Sequence, residues 1–436
     1  MYLILLTQLA RLHTTRLSFY FGLLTGFLGV APQLICFWEI FGMAAVPLWA
    51  VLAFWIAGFV ALAHVVLRRF GIKWALALIP FLWIGLEYFR SELYYLKFSW
   101  MNVGYAFAES HPISLHVFGV YGIGFLAAIL GAFSLATRWI YCAALVMAWI
   151  IIHPFFNSGV TSATLDPTVR IAGIQMEFPA SDEIPSALDR VVARFPQADL
   201  IVLSEYTLDG PVPEDLKHWC RRNHRYLIVG GKDPAPEQQF YDSAFVIDPS
   251  GEIVFKQAKS VPIQFFKDGL PATEQKLWKS PWGRIGICIC YDLSYTRVTD
   301  QLAKLGAQLL IVPTMDVADW GHHQHELHAR VAPVRAAEYR LPIFRLASSG
   351  ISQAVDFTGK VVATAEFPGE HQMLFAELSL PKVGSVPFAR ILAKAGVGIT
   401  GLTILGLVIA SRRNRRCRVQ TSSHAEAQMV SRSRDA

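Results

Sequence analysis

The chain has few charged residues and few cysteines. Only 17% of its 436 residues are Asp, Glu, Lys or Arg, against about 25% in soluble globular proteins, and 53% are hydrophobic. The mean hydropathy is +0.38. This shortage of charge excludes an intrinsically disordered chain and indicates that a large part of the protein lies in a membrane. Six cysteines, none in a CxxC pair, exclude a disulfide scaffold, a zinc ribbon and a thioredoxin-type site.

The net charge of +6 is concentrated at the C-terminal end. Residues 411–436 hold seven arginines against two acidic residues, Glu426 and Asp435, so the rest of the chain is close to neutral. A nucleic-acid-binding protein needs a basic surface on a folded domain. The distribution of charge therefore argues against nucleic acid as a partner and predicts a basic, disordered tail over 412–436.

Long uncharged stretches predict a transmembrane bundle at the N-terminal end and one further span near the C-terminus. Four N-terminal stretches are long enough to cross a bilayer, and a shorter one spans only if Glu87 and Arg90 lie inside the bundle or at its interface. The five predicted spans are 17–38, 40–67, 74–86, 112–137 and 139–156. We therefore predict a helical bundle over 1–157 and a C-terminal transmembrane helix over 391–411.

The basic residues of the loops predict which way the bundle faces. With five spans before residue 158, the basic loops and the basic tail all fall on one side, which the positive-inside rule makes cytoplasmic. The residues concerned are Arg11, Arg16, Arg68, Arg69, Lys73, Arg138 and the cluster from Arg412 to Arg418. The sequence thus predicts an integral membrane protein with its polar domain outside the cytoplasm.

Residues 165–385, between the bundle and the last span, have the pattern of an α/β domain. Short apolar and β-branched runs such as VRIAGIQM, LIVLSEY and AQLLIVPT predict buried strands, and helical patterns such as SALDRVVARF lie between them. Nearly continuous apolar strands that alternate with helices predict a sheet that helices cover on at least one face.

Three reactive side chains, Glu205, Lys259 and Cys290, follow predicted strands of this domain. A cysteine is a nucleophile as its thiolate, an ammonium group stabilises a developing oxyanion, and a carboxylate takes and returns a proton. Together the three form an acyl-transfer site that needs no histidine. Singly, each also has a structural explanation, as a core cysteine, a solvated turn lysine or a helix-capping glutamate.

The order of these residues resembles the carbon–nitrogen hydrolase (nitrilase) superfamily. The motifs are LSEYT around Glu205, G-x-I-V-x(4)-K ending at Lys259, and ICYD around Cys290. Further matches are Gln175, the GG pair at 230–231, DVADWG at 316–321, RVAPVRAAEYRLPIFR at 330–345 and SSGIS at 348–352. The resemblance implies a Glu–Lys–Cys triad on a four-layer α-β-β-α sandwich.

The membrane part is similar to one branch, the apolipoprotein N-acyltransferase family. The similarity rests on LEYFRSELYYLKFSWMNVGY followed by GVYGIGF. It implies an N-terminal helical bundle, a periplasmic nitrilase-like domain and one C-terminal span in the inner membrane. Glu87, Arg90, Trp100 and Tyr105 of this part are candidates for substrate binding. The alternatives are a structural ion pair for the first two and interfacial aromatic residues for the others.

The family resemblance also implies the roles of the site residues. Cys290 accepts an acyl chain as a thioester, Glu205 is the general base, and Lys259 stabilises the oxyanion with a backbone N–H near Tyr291. Tyr291 and Asp292 match the aromatic–carboxylate pair that follows the cysteine. The implied acyl donor is a phospholipid, the implied acceptor is the α-amine of a diacylglyceryl-cysteine on a lipoprotein, and no cofactor is implied.

The segment after Lys259 departs from the family pattern. KSVPIQFFKDG is two residues shorter and lacks the family's second glutamate, for which Asp268 is the nearest substitute. Lys256 and Lys267 are alternative lysines whose distance from Gly251 fits less well. The chain also has fewer N-terminal spans than the family, so a first span is absent or the start is misplaced.

Two other functions remain open at this point. The same triad serves a membrane-anchored amidase or nitrilase, or an enzyme with a different amine acceptor, because either water or an amine resolves a thioester. A lipid-facing, water-shielded cysteine favours the acyltransferase, and PIQFF at 262–266 and LWKSPW at 277–282 are the candidate apolar covers. A catalytically inactive scaffold is disfavoured because all three triad residues are present in order.

The histidine-rich segment GHHQHELH at 321–328 does not predict a metal site. His325 and His328 are three residues apart, so neither HExxH nor HxxEH is satisfied. The family resemblance places one histidine here, near His325, at the start of a helix under the active site. We therefore predict no metal.

Overall fold

The computed structural model describes residues 1–107, 112–136, 167–381 and 384–432. Within these residues, five α-helices precede the first strand: α1 (Tyr2–Leu9), α2 (Thr15–Val30), α3 (Cys36–Phe41), α4 (Ala45–Tyr88) and α5 (Pro112–Ser134). Among the described residues, three helical stretches are long and apolar enough to cross a bilayer: Cys36–Leu93, Leu115–Ser134 and Ala389–Arg412. The predicted span 139–156 lies outside the described residues.

Helix α4 is a hairpin of two helical segments that meet at Gly71. The backbone φ of Gly71 is +78°, a conformation that glycine adopts without strain because it has no Cβ. Aromatic rings on either side of Gly71 contact each other, with centroids 5.0 Å apart for Phe59 and Trp83 and 5.6 Å apart for Trp55 and Phe89. The two segments are therefore antiparallel, and they correspond to the second and third predicted spans.

The first predicted span, 17–38, is not one helix. Helix α2 covers only 16 residues and ends at Val30, and a turn precedes the short helix α3. Pro32 lies in that turn, where its missing N–H and fixed φ disfavour a continuing helix. The absence of charge over 17–38 indicated an apolar environment but did not show this break.

The basic loops lie at the end of the bundle that is remote from the α/β domain. Arg68 donates to the backbone carbonyl of Arg11, with N and O 3.1 Å apart, and Arg11 donates to the carbonyl of Leu135. At the other end of α5, the backbone N–H of Val120 donates to Glu338 of the domain, 2.9 Å away. A rise of about 1.5 Å per residue places Leu135 about 22 Å from Val120.

The α/β domain contains two six-stranded sheets. Its strands are β1 (Thr168–Ile174), β2 (Leu200–Val202), β3 (Tyr226–Pro234), β4 (Phe240–Ile247), β5 (Ile253–Ala258), β6 (Leu277–Ser280), β7 (Gly283–Ile287), β8 (Leu309–Thr314), β9 (Ile343–Ala347), β10 (Ser352–Val355), β11 (Val361–Ala365) and β12 (Met373–Ser379). The first sheet has the order β12-β1-β2-β3-β4-β5 and the second has the order β11-β10-β9-β8-β7-β6. Parallel pairs lie at the centre of each sheet, as expected for strands that helices connect.

The predicted α-β-β-α sandwich is confirmed. The remaining helices are α6 (Glu183–Arg194), α7 (Glu214–Asn223), α8 (Thr296–Leu305), α9 (His322–Ala329), α10 (Val331–Tyr339) and α11 (Ala389–Arg432). Buried residues of both sheets form one core, which also takes in α8 and α10. A second core joins α6 and α7 to the first sheet.

The C-terminal helix α11 is bound to the α/β domain by an arginine at its start. The buried guanidinium of Arg390 lies 2.9 Å from a carboxylate oxygen of Asp300 and 2.9 Å from one of Glu338. It also donates to the hydroxyl of Tyr339, 2.8 Å away. Ion pairs of this kind fix geometry because removing one partner leaves a buried charge.

Helix α11 continues past the predicted span, to Arg432. Residues 412–432 contain neither glycine nor proline to end the helix. Their alanine, arginine, glutamine and glutamate residues have high helix propensity. The disorder of the tail over 412–436 stays a prediction.

Candidate active site

Strand ends bring the three predicted triad residues together between the sheets. Glu205 follows β2 and Lys259 follows β5, both in the first sheet, while Cys290 follows β7 in the second sheet. All three are buried, with 2% of Glu205, 0% of Lys259 and 1% of Cys290 exposed. The site is therefore enclosed between the two layers from which its side chains come.

The ammonium group of Lys259 lies among three carboxylates. Its Nζ is 2.7 Å from Glu205 Oε1, 2.7 Å from Asp268 Oδ2 and 3.4 Å from Asp242 Oδ2. The three carboxylate oxygens lie within 4.8 Å of one another, a spacing at which a metal ion also binds. In this structure the cation among them is the lysine side chain.

Glu205 and Cys290 meet at the backbone of Met315. The N–H of Met315 donates to Glu205 Oε2, 2.6 Å away, and the Sγ of Cys290 contacts the Met315 carbonyl at 3.7 Å. Cys290 begins the 3₁₀ helix Cys290–Ser294 and has a φ of +50°. A non-glycine residue in this region costs about 1–3 kcal/mol, and such strain is commonly found at active sites.

Burial and charge set the protonation of the triad. Burial raises the pKa of the Cys290 thiol well above its usual value, and the Glu205 charge raises it further. Burial also raises the pKa of Glu205, but the Lys259 ammonium and hydrogen bonds outweigh it and hold that pKa below its ordinary value. The resting site is therefore a thiol beside a carboxylate and an ammonium, so the thiol must lose its proton as it reacts.

Asp242 lies beside the same ammonium and has an unusual pKa. Burial, followed by the charge of Glu205, raises the pKa of Asp242 well above its ordinary value. Asp242 was not among the predicted site residues, although an aspartate inside the largely apolar strand β4 is a signal of a buried polar partner.

Asp268, the nearest carboxylate to the position of the missing glutamate, lies beside Lys259. One oxygen lies against Lys259, and it also accepts from the backbone N–H of Ile263, 2.6 Å away. The other oxygen accepts from the hydroxyl of Tyr206, 2.8 Å away. Asp268 thus joins the ammonium to the start of the 263–266 loop.

Asp292 supports the site through the backbone. Its carboxylate accepts from the N–H groups of Ser260 at 3.0 Å, Val261 at 2.7 Å and Ile289 at 3.2 Å. Burial raises the pKa of Asp292 to about 6, while these N–H groups oppose that rise, so the group is charged at pH 7. Asp292 therefore joins the segment after Lys259 to the nucleophile turn and does not face a substrate directly.

An apolar cavity of about 120 Å³ opens beside Cys290. Its wall combines the bundle, through α3 and the start of α4, with the 96–100 and 263–266 segments of the chain. Lining residues include Phe37, Phe41, Leu52, Trp100, Phe265, Phe266, Tyr291 and His328. A nucleophile that opens toward residues of a membrane bundle suits an apolar substrate.

Of the two predicted covers for the cysteine, the structure brings only one to the cavity. Ile263, Phe265 and Phe266 of the first segment line it, and both phenylalanines contact Phe41 of α3. The segment 277–282 contains the edge strand β6 and packs in the core between the sheets. The prediction for 277–282 was wrong because its tryptophans serve that core.

Trp100 is the membrane-side candidate that reaches the cavity of Cys290. Its ring is edge-on to Tyr291 with centroids 6.0 Å apart, and its indole N–H donates to the hydroxyl of Ser294, 2.8 Å away. Tyr291, predicted to support the oxyanion, also contacts Tyr295 at 4.9 Å. Trp100 thereby links the bundle to the turn that carries the nucleophile.

Glu87 and Arg90 hold the segment that carries Trp100. Glu87 accepts from the backbone N–H of Val103, 3.0 Å away, and Arg90 donates to Asn102 Oδ1 at 2.9 Å. Both side chains are buried. This agrees with the prediction that 74–86 spans the bilayer only if they lie inside the bundle or at its interface. With Trp100 and Tyr105, they line a second cavity, of about 480 Å³, inside the bundle.

Gly230 permits the close approach of β3 to the Glu205 segment. A Cβ at this position would lie 2.6 Å from the Cα of Glu205 and 2.6 Å from the carbonyl oxygen of Ser204. Gly230→Ala is therefore expected to displace Glu205. Since a displacement of about 1 Å costs about 100-fold in rate, alkylation of Cys290 by iodoacetamide should slow by about that factor. Peptide mass spectrometry measures the alkylation.

Gly210→Ala is the matched control, because no atom lies within 4 Å of a Cβ placed there. It should leave the alkylation rate of Cys290 unchanged. Equal rates for the wild type and Gly230→Ala would show that Gly230 does not position the carboxylate.

Two family models match the chain. The model described as Carbon-nitrogen hydrolase matches residues 152–388, and the model described as Apolipoprotein N-acyltransferase N-terminal domain matches residues 1–133. The solved structure of Nit3 from Saccharomyces cerevisiae, a member of branch 10 of the nitrilase superfamily, is 20% identical, with 51% of this chain and 94% of that chain covered and a TM-score of 0.42.

Two curated relatives differ in how much of the chain they match. An apolipoprotein N-acyltransferase of Geobacter metallireducens is 24% identical over 340 residues, covering 65% of this chain and 64% of the relative. A deaminated glutathione amidase of Dictyostelium discoideum is 27% identical over 175 residues, covering 35% of this chain and 60% of the relative. The chain spans less than two thirds of the length of each.

Proposed function

The chain belongs to the carbon–nitrogen hydrolase family and matches the N-terminal domain of apolipoprotein N-acyltransferases, and from this we propose that it is a membrane N-acyltransferase. A fatty acyl chain moves from a phospholipid to the thiol of Cys290 as a thioester. It then moves to the free α-amine of a diacylglyceryl-cysteine at the N-terminus of a lipoprotein. The Glu–Lys–Cys triad carries out both transfers, and no cofactor takes part.

The cavity beside Cys290 is the observation that carries this proposal. Its wall is built from helices α3 and α4 and from the apolar 263–266 loop, so an acyl chain enters from the bundle. Phe265 and Phe266 are exposed on that loop, where lipid is the favourable environment for them. A small soluble amide gains nothing from such a wall, whereas a lipid keeps its chain out of water.

The first transfer follows from the contacts of the triad. Glu205 takes the thiol proton as the Sγ of Cys290 bonds to the ester carbonyl carbon of the lipid. The Lys259 ammonium stabilises the oxyanion that forms on the carbonyl oxygen. The C–O bond then breaks, and Glu205 returns the proton to the departing glycerol oxygen, which leaves a thioester and a lysophospholipid.

The second transfer uses the same groups with an amine in place of the thiol. The amine nitrogen bonds to the thioester carbon, the C–S bond breaks, and Glu205 passes the proton of the amine to the sulfur. The amide that forms is far more stable than the thioester, so the acceptor is modified irreversibly. Water in place of the amine gives a hydrolase.

Hydrolysis of a small amide is the second candidate function. The similarity to a deaminated glutathione amidase supports it, and that match covers only 35% of this chain. In that function the bundle serves as an anchor and the apolar cavity has no role. The two functions therefore predict different covalent intermediates.

Mass spectrometry of the purified protein in phospholipid vesicles with isotope-labelled acyl chains separates the two functions. We expect a hydroxylamine-labile fatty-acyl adduct on Cys290 that a diacylglyceryl-cysteine peptide removes. Cys290→Ala should lack the adduct, and the matched variant Cys220→Ala, which alters a buried cysteine of α7, should retain it. Release of ammonia from small amides without a fatty-acyl adduct on Cys290 would instead establish the amidase.

The orientation of the bundle gives a separate prediction. The basic loops lie at the end of the bundle remote from the domain, and the positive-inside rule makes that end cytoplasmic. The catalytic domain is then extracytoplasmic and the tail after Arg412 is cytoplasmic. A reporter enzyme that is active only outside the cytoplasm should show activity when it is inserted near residue 160. A reporter that is active only inside the cytoplasm should show activity when it is fused to the C-terminus. The reverse pattern would contradict the proposed location.

A further inference from the structure

His328 of α9 is a buried histidine held on two sides. Its Nδ1 lies 2.7 Å from Asp316 Oδ1, and its ring stacks on the indole of Trp100 with centroids 4.9 Å apart and planes 24° apart. The residue is 2% exposed. Among the described residues, its Nε2 has no hydrogen-bond partner. A buried ring nitrogen without a partner costs free energy, unless a substrate binds it.

The contacts of His328 fix which nitrogen carries its hydrogen. Arg345 also pairs with Asp316. Burial raises the pKa of Asp316, but His328 and Arg345 outweigh burial and hold that pKa well below its usual value. The carboxylate is therefore charged and accepts from Nδ1–H. Burial lowers the pKa of His328, and the charge of Arg345 lowers it further. The charges of Asp316 and Glu205 oppose this but do not outweigh it. The ring is thus neutral, and Nε2 has a free lone pair.

His328 shares a wall with the nucleophile. It lines the same cavity as Cys290, Tyr291 and Trp100. Asp316, which binds its Nδ1, directly follows Met315, whose peptide group contacts Glu205 and Cys290. A substrate group that approaches the thioester through this cavity therefore passes the ring of His328.

The chemistry of the second transfer needs a second proton acceptor. An α-amine has a pKa of about 7.7–8.0, so near neutral pH it arrives mostly as an ammonium ion. The ammonium must lose one proton before its nitrogen is a nucleophile and another as the amide forms. Glu205 handles only the second of these, because it passes that proton to the sulfur of Cys290.

We propose that Nε2 of His328 is the group that binds the incoming ammonium and takes its first proton. This inference rests on the proposed acyl transfer to an amine. The step converts R–NH₃⁺ and neutral imidazole into R–NH₂ and imidazolium, which Asp316 stabilises. The amine then bonds to the thioester carbon, the C–S bond breaks, and the second proton reaches the sulfur through Glu205. The imidazolium later returns its proton to water.

His328→Gln tests this role in the full-length protein in vesicles. A glutamine side chain can still donate to Asp316 but takes no proton. The variant should form the acyl-enzyme within twofold of the wild-type rate. At pH 6.8, where about one α-amine in ten is neutral, transfer to a diacylglyceryl-cysteine peptide should fall about 10-fold. The loss should disappear near pH 9.5, where nearly all the amine is neutral.

Hydroxylamine, which is neutral at pH 7, serves as an internal control in the same preparation. It should release the acyl chain from the wild type and from His328→Gln at equal rates. His322→Gln is the matched variant, since His322 lies in the same helix, stacks on Phe367 at 5.7 Å and does not line the cavity. It should retain transfer at both pH values.

Two results would overturn the inference. One is a loss of transfer in His328→Gln that is the same at pH 6.8 and pH 9.5, and the other is an equal loss with hydroxylamine. Either result would indicate that the His328 ring serves only to pack against Trp100. If the glutamine variant does not fold, His328→Asn is used in its place and judged in the same way. Failure of wild-type acyl-enzyme to react with any amine would overturn the proposed function instead.

Discussion

Replacement of Lys259 by methionine is expected to abolish acyl-enzyme formation and to lower the free energy of unfolding by about 3–5 kcal/mol. The substitution keeps the length of the side chain but removes the ammonium that lies 2.7 Å from both Glu205 and Asp268. Two buried carboxylates then face each other without a cation, and the oxyanion loses its stabilising charge. Denaturant unfolding in detergent and mass spectrometry of the acyl adduct measure the two effects.

Lys256→Met is the matched control for this prediction. Lys256 is one of the alternative lysines from the sequence, but its side chain is half exposed and pairs with Asp233 on the surface. Exposed ion pairs contribute at most about 1 kcal/mol, so the control should unfold nearly as the wild type does and should form the adduct. An active Lys259→Met protein, or an inactive Lys256→Met protein, would contradict the assignment of the lysine.

The second large effect is expected for Glu205→Gln. The glutamine oxygen can still accept from the N–H of Met315, so the protein should fold. It does not take the proton of the Cys290 thiol, which burial keeps protonated at rest. The rate of acyl-enzyme formation should therefore fall by about 10²–10⁴, the usual contribution of a general base. The rate is measured by stopping the reaction with labelled phospholipid at successive times and quantifying the acyl-enzyme.

Asp242→Asn separates the proposed general base from the carboxyl group beside it. Because burial and the charge of Glu205 raise the pKa of Asp242 well above its ordinary value, an amide at this position should disturb the charge of the site little. Acyl-enzyme formation should then stay within about 10-fold of the wild type, far above the rate of Glu205→Gln. If the two variants lost activity equally, Asp242 would share the proton transfer.

The strand ends explain why the proximity of Glu205, Lys259 and Cys290 was predictable from sequence. Glu205, Lys259 and Cys290 each follow an apolar strand, and apolar strands are the clearest pattern in this domain. The sandwich fold was predictable for the same reason. Asp268 was predicted as the nearest substitute for the family's second glutamate, and its carboxylate lies 2.7 Å from the Lys259 ammonium.

Contacts between distant segments were not predictable in the same way. Asp242 lies at the site because β4 pairs with β5, and His328 lies there because its ring contacts Trp100 from the bundle side, and the spacing of neither residue from the predicted three indicated this. The segments 262–266 and 277–282 each contain two aromatic residues, yet of the two only the first lines the cavity. The segment 277–282 includes the edge strand β6, and its tryptophans pack in the core between the sheets. Amino-acid composition alone does not distinguish these two positions.

The contacts of Arg390 have a consequence for how the protein is assembled. The helix that begins beside this residue is the last described element to leave the ribosome, yet its guanidinium pairs with Asp300 and Glu338 inside the domain. The enzyme can complete its fold only after the final segment has been inserted into the bilayer. A nascent chain interrupted before that segment therefore displays an unfinished domain, which quality-control proteases can distinguish from the mature protein.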